Sequence, residues 1–116
     1  LKDAASPHQN KVVLDRSGCA LYFSRSAIPY SSKGSPVRYL RHQGIYGFRR
    51  DALLRFVNWK PTPLECAESL EQLRALENGV KVHVLITAKG SPGIDTLADA
   101  EALEQKLARA ERRISR

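Results

Sequence analysis

Asp95 stands directly before Thr96, which is placed to cap a helix, and follows the flexible run Gly90-Ser91-Pro92-Gly93 with Ile94 between. A carboxylate at a helix N-terminus stays ionised because the peptide dipoles favour negative charge there. The end of a strand is also where α/β folds gather their ligands. Such a group suits Mg²⁺, a hard cation that takes one or two carboxylates and completes its shell with substrate phosphates; an Asx-type cap without a ligand is the plainer alternative. Arg25, in a loop beside Ser24, carries the side chain best shaped for a bidentate grip on a carboxylate, against the ordinary reading of a solvated loop arginine. His42, following Arg41, could donate to a sugar hydroxyl or carboxylate, or serve only the fold. Glu71 and Gln72 together offer acceptors and donors to a polyol, or simply face water. His8 and His83 read as structural.

Other chemistries lack their residues. No Gly-rich phosphate loop of P-loop or Rossmann type occurs, and no Ser/His/Asp order, HExxH or nucleophile elbow is visible. Cys19 and Cys66 have no CxxC or Cys/His spacing of the kind that a structural zinc needs. They read as buried free thiols of a reducing cytosol.

The elements that must position these groups follow from local pattern. Positions 12–15 and 19–23 are short strands joined through Arg16-Ser17-Gly18, a hairpin turn in which glycine supplies positive φ. Positions 24–36, rich in Ser, Pro and Gly, form a long loop, a kind that is often functional. Positions 39–48 read as a strand with glycines at 44 and 47, and 50–59 as a short helix. Thr62, Pro63 and Glu65 supply an N-cap, a proline at N1 and a capping-box glutamate. That helix is expected to run unbroken to Asn78, with Gly79 as its C′ residue. Alternation at Val80, Val82, Val84 and Ile86 predicts a strand. Thr96 with Asp99 caps a last helix, whose Ala100, Leu103, Leu107, Ala110 and Ile114 form an apolar seam. The seam reads first as core and second as an oligomer contact. Alternating strands and helices argue α/β.

At 116 residues the chain allows one domain at most, and 42% hydrophobic with 27% charged residues is ordinary for a soluble globular protein. No apolar run approaches the roughly 20 residues that cross a bilayer, so no membrane association is expected. Leu1 at the start reads as the interior of a longer reading frame or as the product of processing. The net charge of +7 would suit an anionic partner. Aromatics at 7%, without a recognisable RNA or DNA module, argue against nucleic acid as that partner.

Taken in order, several strings resemble the 3-deoxy-manno-octulosonate cytidylyltransferases, the CMP-Kdo synthetases. They are Ala20-Leu21-Tyr22-Phe23-Ser24-Arg25 with Ile28-Pro29-Tyr30, and Leu40-Arg41-His42-Gln43-Gly44-Ile45-Tyr46-Gly47-Phe48-Arg49. Pro63-Leu64-Glu65, the run from Glu68 to Gly79, and Pro92-Gly93-Ile94-Asp95-Thr96 follow, so that the likeness spans roughly residues 11–104. The resemblance implies the C-terminal portion of a Rossmann-like nucleotidyltransferase fold, with a β-hairpin and three helices. It also implies transfer of CMP from CTP to Kdo (3-deoxy-D-manno-octulosonic acid) with release of diphosphate, for lipopolysaccharide biosynthesis. Asp95 and Arg25 would be catalytic: Asp95 a ligand of Mg²⁺, Arg25 the grip on the Kdo carboxylate. His42, Tyr46, Glu71 and Gln72 would hold the sugar hydroxyls. A cytoplasmic homodimer is implied as well.

One departure is large. The family's N-terminal half, with its R-x-x-S-x-R-[LF]-P-x-K loop and D-x-Q-G-D-E-P segment, does not occur in the 116 residues. All of residues 1–116 are therefore expected to be the Kdo-binding and dimerisation portion of a single-domain enzyme, inactive without the CTP-binding half. Exposed apolar edges are expected where central strands of the sheet would lie. Two other readings stand beside it: a non-catalytic dimerisation or interaction module, and a cytidylyltransferase for a related acid such as 8-amino-Kdo.

Overall fold

The computed structural model describes residues 6–32, 36–88, 90, 94 and 96–114, with side chains of the last helix described as far as 110. The chain divides into two compact units, Leu1–Ile86 and Thr87–Arg116. Asp95 lies outside the described residues.

The first unit is built on a hairpin of β1 (Lys11–Leu14) and β2 (Ala20–Ser24). The expected turn forms, with Gly18 at φ +82°. What organises it is Asp15, whose Oδ1 accepts from Ser17 N–H at 2.8 Å, Ser17 Oγ–H at 2.7 Å and Cys19 N–H at 2.9 Å. The register runs Val12 opposite Phe23 and Val13 opposite Tyr22, then shifts so that Leu14 faces Ala20. This bulge turns Leu21 outward, where it is 62% exposed.

The strand expected over 39–48 is much shorter. Only β3 (Leu40–Arg41) pairs, antiparallel to β1, giving the order β2-β1-β3. One more bond, His42 N–H to the Asn10 carbonyl at 2.8 Å, carries the ladder as far as the histidine. The strand expected over 80–86 is likewise reduced to an extended segment with a single bridge, Cys19 to His83. Ala20 N–H donates to Val82 O at 2.8 Å and Val84 N–H to Gly18 O at 3.0 Å. Beyond it, Leu85 and Ile86 are 95% and 59% exposed. They have the right alternation for a strand, but among the described residues no neighbouring strand pairs with them.

Helix α1 (Arg50–Asn58) forms where the pattern placed it. The helix expected to run unbroken to Asn78 does not. It is two helices, α2 (Pro63–Glu68) and α3 (Gln72–Glu77), so the described residues hold four helices rather than three. The start is the expected one: proline at N1, with Glu65 Oε2 accepting from Thr62 N–H at 3.1 Å. The break is at Ser69, whose φ of 52° and ψ of 50° lie in the left-handed region. There the Glu65 carbonyl accepts from the N–H groups of both Ser69 and Leu70. The end at Gly79, φ +74°, is as expected.

The break matters for packing. It lets Leu70 and Leu73, both buried, close over Phe23, Val12 and Ala20 to make one small core. Burying side chains of this kind stabilises the fold by about 1.5–3 kcal/mol each. A paired charge secures the same turn from outside. Arg74 Nε donates to Glu65 Oε2 at 2.8 Å while its Nη2 bonds Oε1, and the guanidinium lies 5.0 Å from the centre of the Phe56 ring.

The second unit holds α4 (Leu97–Ile114). Its cap is the expected one: Asp99 Oδ2 accepts from Thr96 N–H at 2.9 Å and Oγ1–H at 2.8 Å. The seam is half-buried at Ala100 and Leu103 and open at Leu107, which is 56% exposed.

Candidate functional site

Arg25 sits where β2 ends, with its main chain held from both sides. Its N–H donates to Glu68 Oε2 at 2.9 Å, and its carbonyl accepts from Lys11 Nζ. The guanidinium then reaches three more carbonyls: Nε–H to Glu68 O at 2.7 Å, Nη1–H to Pro7 O at 3.1 Å and Nη2–H to Ser69 O at 3.1 Å. Three of the five N–H donors of a guanidinium are thus engaged in fixing its plane.

Glu68 ties this corner together. Besides Arg25 N–H, its carboxylate accepts from Ser24 Oγ–H at 2.6 Å and from Tyr22 Oη–H at 3.5 Å. Burial opposes its charge, but the hydrogen bonds from Ser24, Arg25 and Tyr22 and the nearby Arg25 charge outweigh that, and its pKa lies below the usual glutamate value. The sequence reading did not single out Glu68 or Lys11.

His42 and Tyr46 form the second group. Tyr46 Oη and His42 Nε2 share a hydrogen bond of 2.7 Å, and the His42 ring stands edge-on to Phe23 at 5.3 Å. Burial lowers the His42 pKa, so the imidazole is neutral at pH 7. Burial, then the charge of Glu71, pushes Tyr46 up to about 12, which keeps its hydroxyl protonated. Tyr46 continues into a line of rings through Phe48, Phe56 and Trp59, with centroids 5.6–6.2 Å apart.

Glu71 and Gln72 open α3 immediately after the Ser69 break. Gln72 Nε2 is buried and has no hydrogen-bond partner among the described residues. A buried, unmade hydrogen bond costs about 1–3 kcal/mol, so such a group usually has a partner the fold alone does not supply.

In the first unit Arg25 reaches the turn that precedes Glu71 and Gln72, and His42 pairs with Tyr46, on which the Glu71 charge acts. Arg25 bonds the main chain of the α2–α3 turn, Phe23 links β2 to His42, and Glu71 acts on Tyr46. The arrangement combines a cation, two hydroxyl- or imidazole-type donors, a carboxylate and an amide, which is chemistry for an anionic polyol. Among the described residues there is no group of three or more His, Cys, Asp or Glu side chains able to hold a metal ion. Cys19 and Cys66 are free thiols, but only Cys19 is buried; it lies 3.5 Å from His83 Nδ1, while Cys66 is exposed.

The small antiparallel sheet with its short helices matches part of a nucleotidyltransferase fold. The sequence profile of the cytidylyltransferase family matches residues 2–82, and the chain belongs to that family. Among its relatives is the 3-deoxy-manno-octulosonate cytidylyltransferase of Fusobacterium nucleatum, 46% identical over 100 residues, which are 86% of this chain and 41% of the relative. The enzyme of the same name from Chlorobaculum tepidum is 49% identical over 100 residues, 85% of this chain and 40% of the relative. In three dimensions the chain is similar to a CMP:2-keto-3-deoxy-manno-octonic acid synthetase solved in complex with CTP. The TM-score is 0.86 with 41% identity, over 94% of this chain and 45% of that one. The chain thus spans less than half the length of the proteins it matches.

Proposed function

We propose that this chain is the sugar-acid-binding portion of a 3-deoxy-manno-octulosonate cytidylyltransferase, the enzyme that joins Kdo to CMP from CTP and releases diphosphate. The observation that carries the proposal is the buried Gln72 Nε2, without a partner among the described residues, in the first turn of the helix that follows the Ser69 carbonyl bonded by Arg25. The names and identities of the relatives support the choice of substrate.

In this reading Arg25 offers the two N–H donors its three carbonyl bonds leave over, one on each Nη, to the Kdo carboxylate. Gln72 donates to a sugar hydroxyl, and Glu71 accepts from another. His42 and Tyr46, neutral and already hydrogen-bonded to each other, orient a third without presenting a charge that would compete with Arg25. Their work is positioning: the Kdo 2-hydroxyl is held for in-line attack on the α-phosphate of CTP, which the rest of the enzyme presents. Asp95 would supply one carboxylate to Mg²⁺. That donor set fits an ion that takes its remaining ligands from phosphate and water, and the ion would neutralise phosphate charge. CTP binding, homodimer formation and a cytoplasmic site of action complete the proposal.

Titration calorimetry with Kdo tests it. Wild-type chain should bind one equivalent, and Gln72→Ala should bind about tenfold more weakly, the equivalent of one lost hydrogen bond. No diphosphate should be released from CTP and Kdo by the 116-residue chain alone. Equal binding by wild type and Gln72→Ala would refute the assignment of Gln72, and turnover by the chain alone would refute its role as a part.

A further inference from the structure

Lys11 is 2% exposed, one of the most deeply buried side chains among the described residues, and no part of the proposed sugar contact uses it. Its ammonium group donates to Ser6 O at 2.9 Å, to Gln9 O at 2.6 Å, and to the carbonyl of Arg25. An ammonium has three N–H donors and no acceptor, so these three carbonyls satisfy it fully. All three carbonyls bear on Arg25. One is Arg25's own. The other two close the turn over residues 6–9, and inside that turn lies Pro7, whose carbonyl accepts from Arg25 Nη1 at 3.1 Å. Glu68 holds the opposite side of the same residue, through Arg25 N–H and, with its own carbonyl, Arg25 Nε–H.

We propose that Lys11 is a positioning residue for Arg25: it fixes the arginine's main chain and holds closed the turn that presents the Pro7 carbonyl to the guanidinium. Replacing an ammonium by an apolar group would be neutral if Lys11 were only filling space. Here it would release the carbonyls of Gln9 and Arg25 and leave Ser6 O with the Gln9 N–H at 3.2 Å, loosening the turn that faces the guanidinium. The inference rests on the reading of Arg25 as the carboxylate-binding residue only for its functional consequence; the geometric consequence stands by itself. A burial cost accompanies the arrangement. Desolvation lowers the Lys11 pKa, while the Glu68 charge nearby opposes that and Arg25 adds to it.

Two readouts separate the parts. The first is hydrogen exchange of the Arg25 Nε–H by NMR, with the Ala20 amide, bonded to Val82 O at 2.8 Å, as the internal standard for the fold. In Lys11→Met the Arg25 Nε–H should exchange at least about tenfold faster, the equivalent of losing one charge-assisted bond's worth of restraint, while Ala20 keeps its rate. The second readout is Kdo affinity, which should fall by a similar factor. Lys11→Gln, which keeps two N–H donors, should lie between wild type and Lys11→Met in both. Unchanged Arg25 exchange overturns the proposal, as does equal acceleration of Arg25 and Ala20 or unfolding of both variants, since Lys11 would then serve the fold alone. If wild type fails to bind Kdo, the reading of the site falls, and the exchange data still decide Lys11.

Discussion

Glu68→Ala removes the group on which the corner turns, and the structure gives the size of the effect. The carboxylate accepts two good hydrogen bonds, from Ser24 Oγ–H at 2.6 Å and Arg25 N–H at 2.9 Å; the Tyr22 contact at 3.5 Å is marginal. Ser24 is 2% exposed, so water cannot replace its lost partner. Each bond to a charged group contributes about 1.5–3 kcal/mol. Alanine also removes the negative charge that acts on Lys11 and Arg25, and the loss of the two bonds together is expected to cost about 3 kcal/mol or more. Glu68→Gln keeps the shape and one acceptor, so about 1–2 kcal/mol is expected. Urea unfolding followed by fluorescence of Trp59, the only tryptophan, measures both. A double-mutant cycle with Ser24→Ala should return a coupling of about 1–2 kcal/mol. A Glu68→Ala variant within about 1 kcal/mol of wild type would refute the reasoning, because desolvation of the carboxylate would then cancel its bonds.

Acid should act through the same group. The folded-state pKa values of Glu65 and Glu68 both lie below the ordinary 4.5: for Glu65 the Arg74 hydrogen bond leads, and for Glu68 burial is outweighed by its hydrogen bonds. Their contribution is therefore full above about pH 4.5 and is lost as the pH falls through the lower folded values; Glu68→Gln should flatten this acid limb in urea titrations at stepped pH. Ser69→Gly should be tolerated, because glycine is at ease at φ 52°, whereas Ser69→Val should lose about 1–2 kcal/mol of unfolding free energy. Equal stability of the two would mean that the left-handed turn is not needed. Arg74→Met should lower the urea midpoint clearly more than Arg55→Met, since the Arg74–Glu65 pair is bidentate and 15% and 10% exposed. The Arg55–Asp51 pair is 3.8 Å apart and 61% and 75% exposed.

What the sequence made legible was local. Gly18, Gly79, the Thr62-Pro63-Glu65 start and the Thr96–Asp99 cap depend on a few neighbouring residues, and each forms as read. What it hid depends on tertiary contact. A serine in the left-handed region carries no mark in sequence, so the stretch from the Thr62 cap to Gly79 reads as one helix rather than two. The alternation at 80–86 is real, yet a strand needs a partner, and among the described residues only Cys19 bridges to His83. Lysine is the residue least expected inside, so nothing in Lys11-Val12-Val13 announced a side chain satisfied by three carbonyls. Of the candidate residues, Arg25 bonds the turn before Glu71 and Gln72, and His42 pairs with Tyr46. The surprise there is how much of Arg25 is spent on main-chain carbonyls before any ligand arrives.

The central claim is that this corner binds Kdo. Titrating Kdo into ¹⁵N-labelled chain and following the side-chain signals of Arg25 and Gln72 by NMR tests it most directly. The account predicts saturable shifts at both groups, with Gln72 Nε2–H becoming protected from exchange and little change at Ala20. Saturation without change at either group, or no saturation at all, would contradict it.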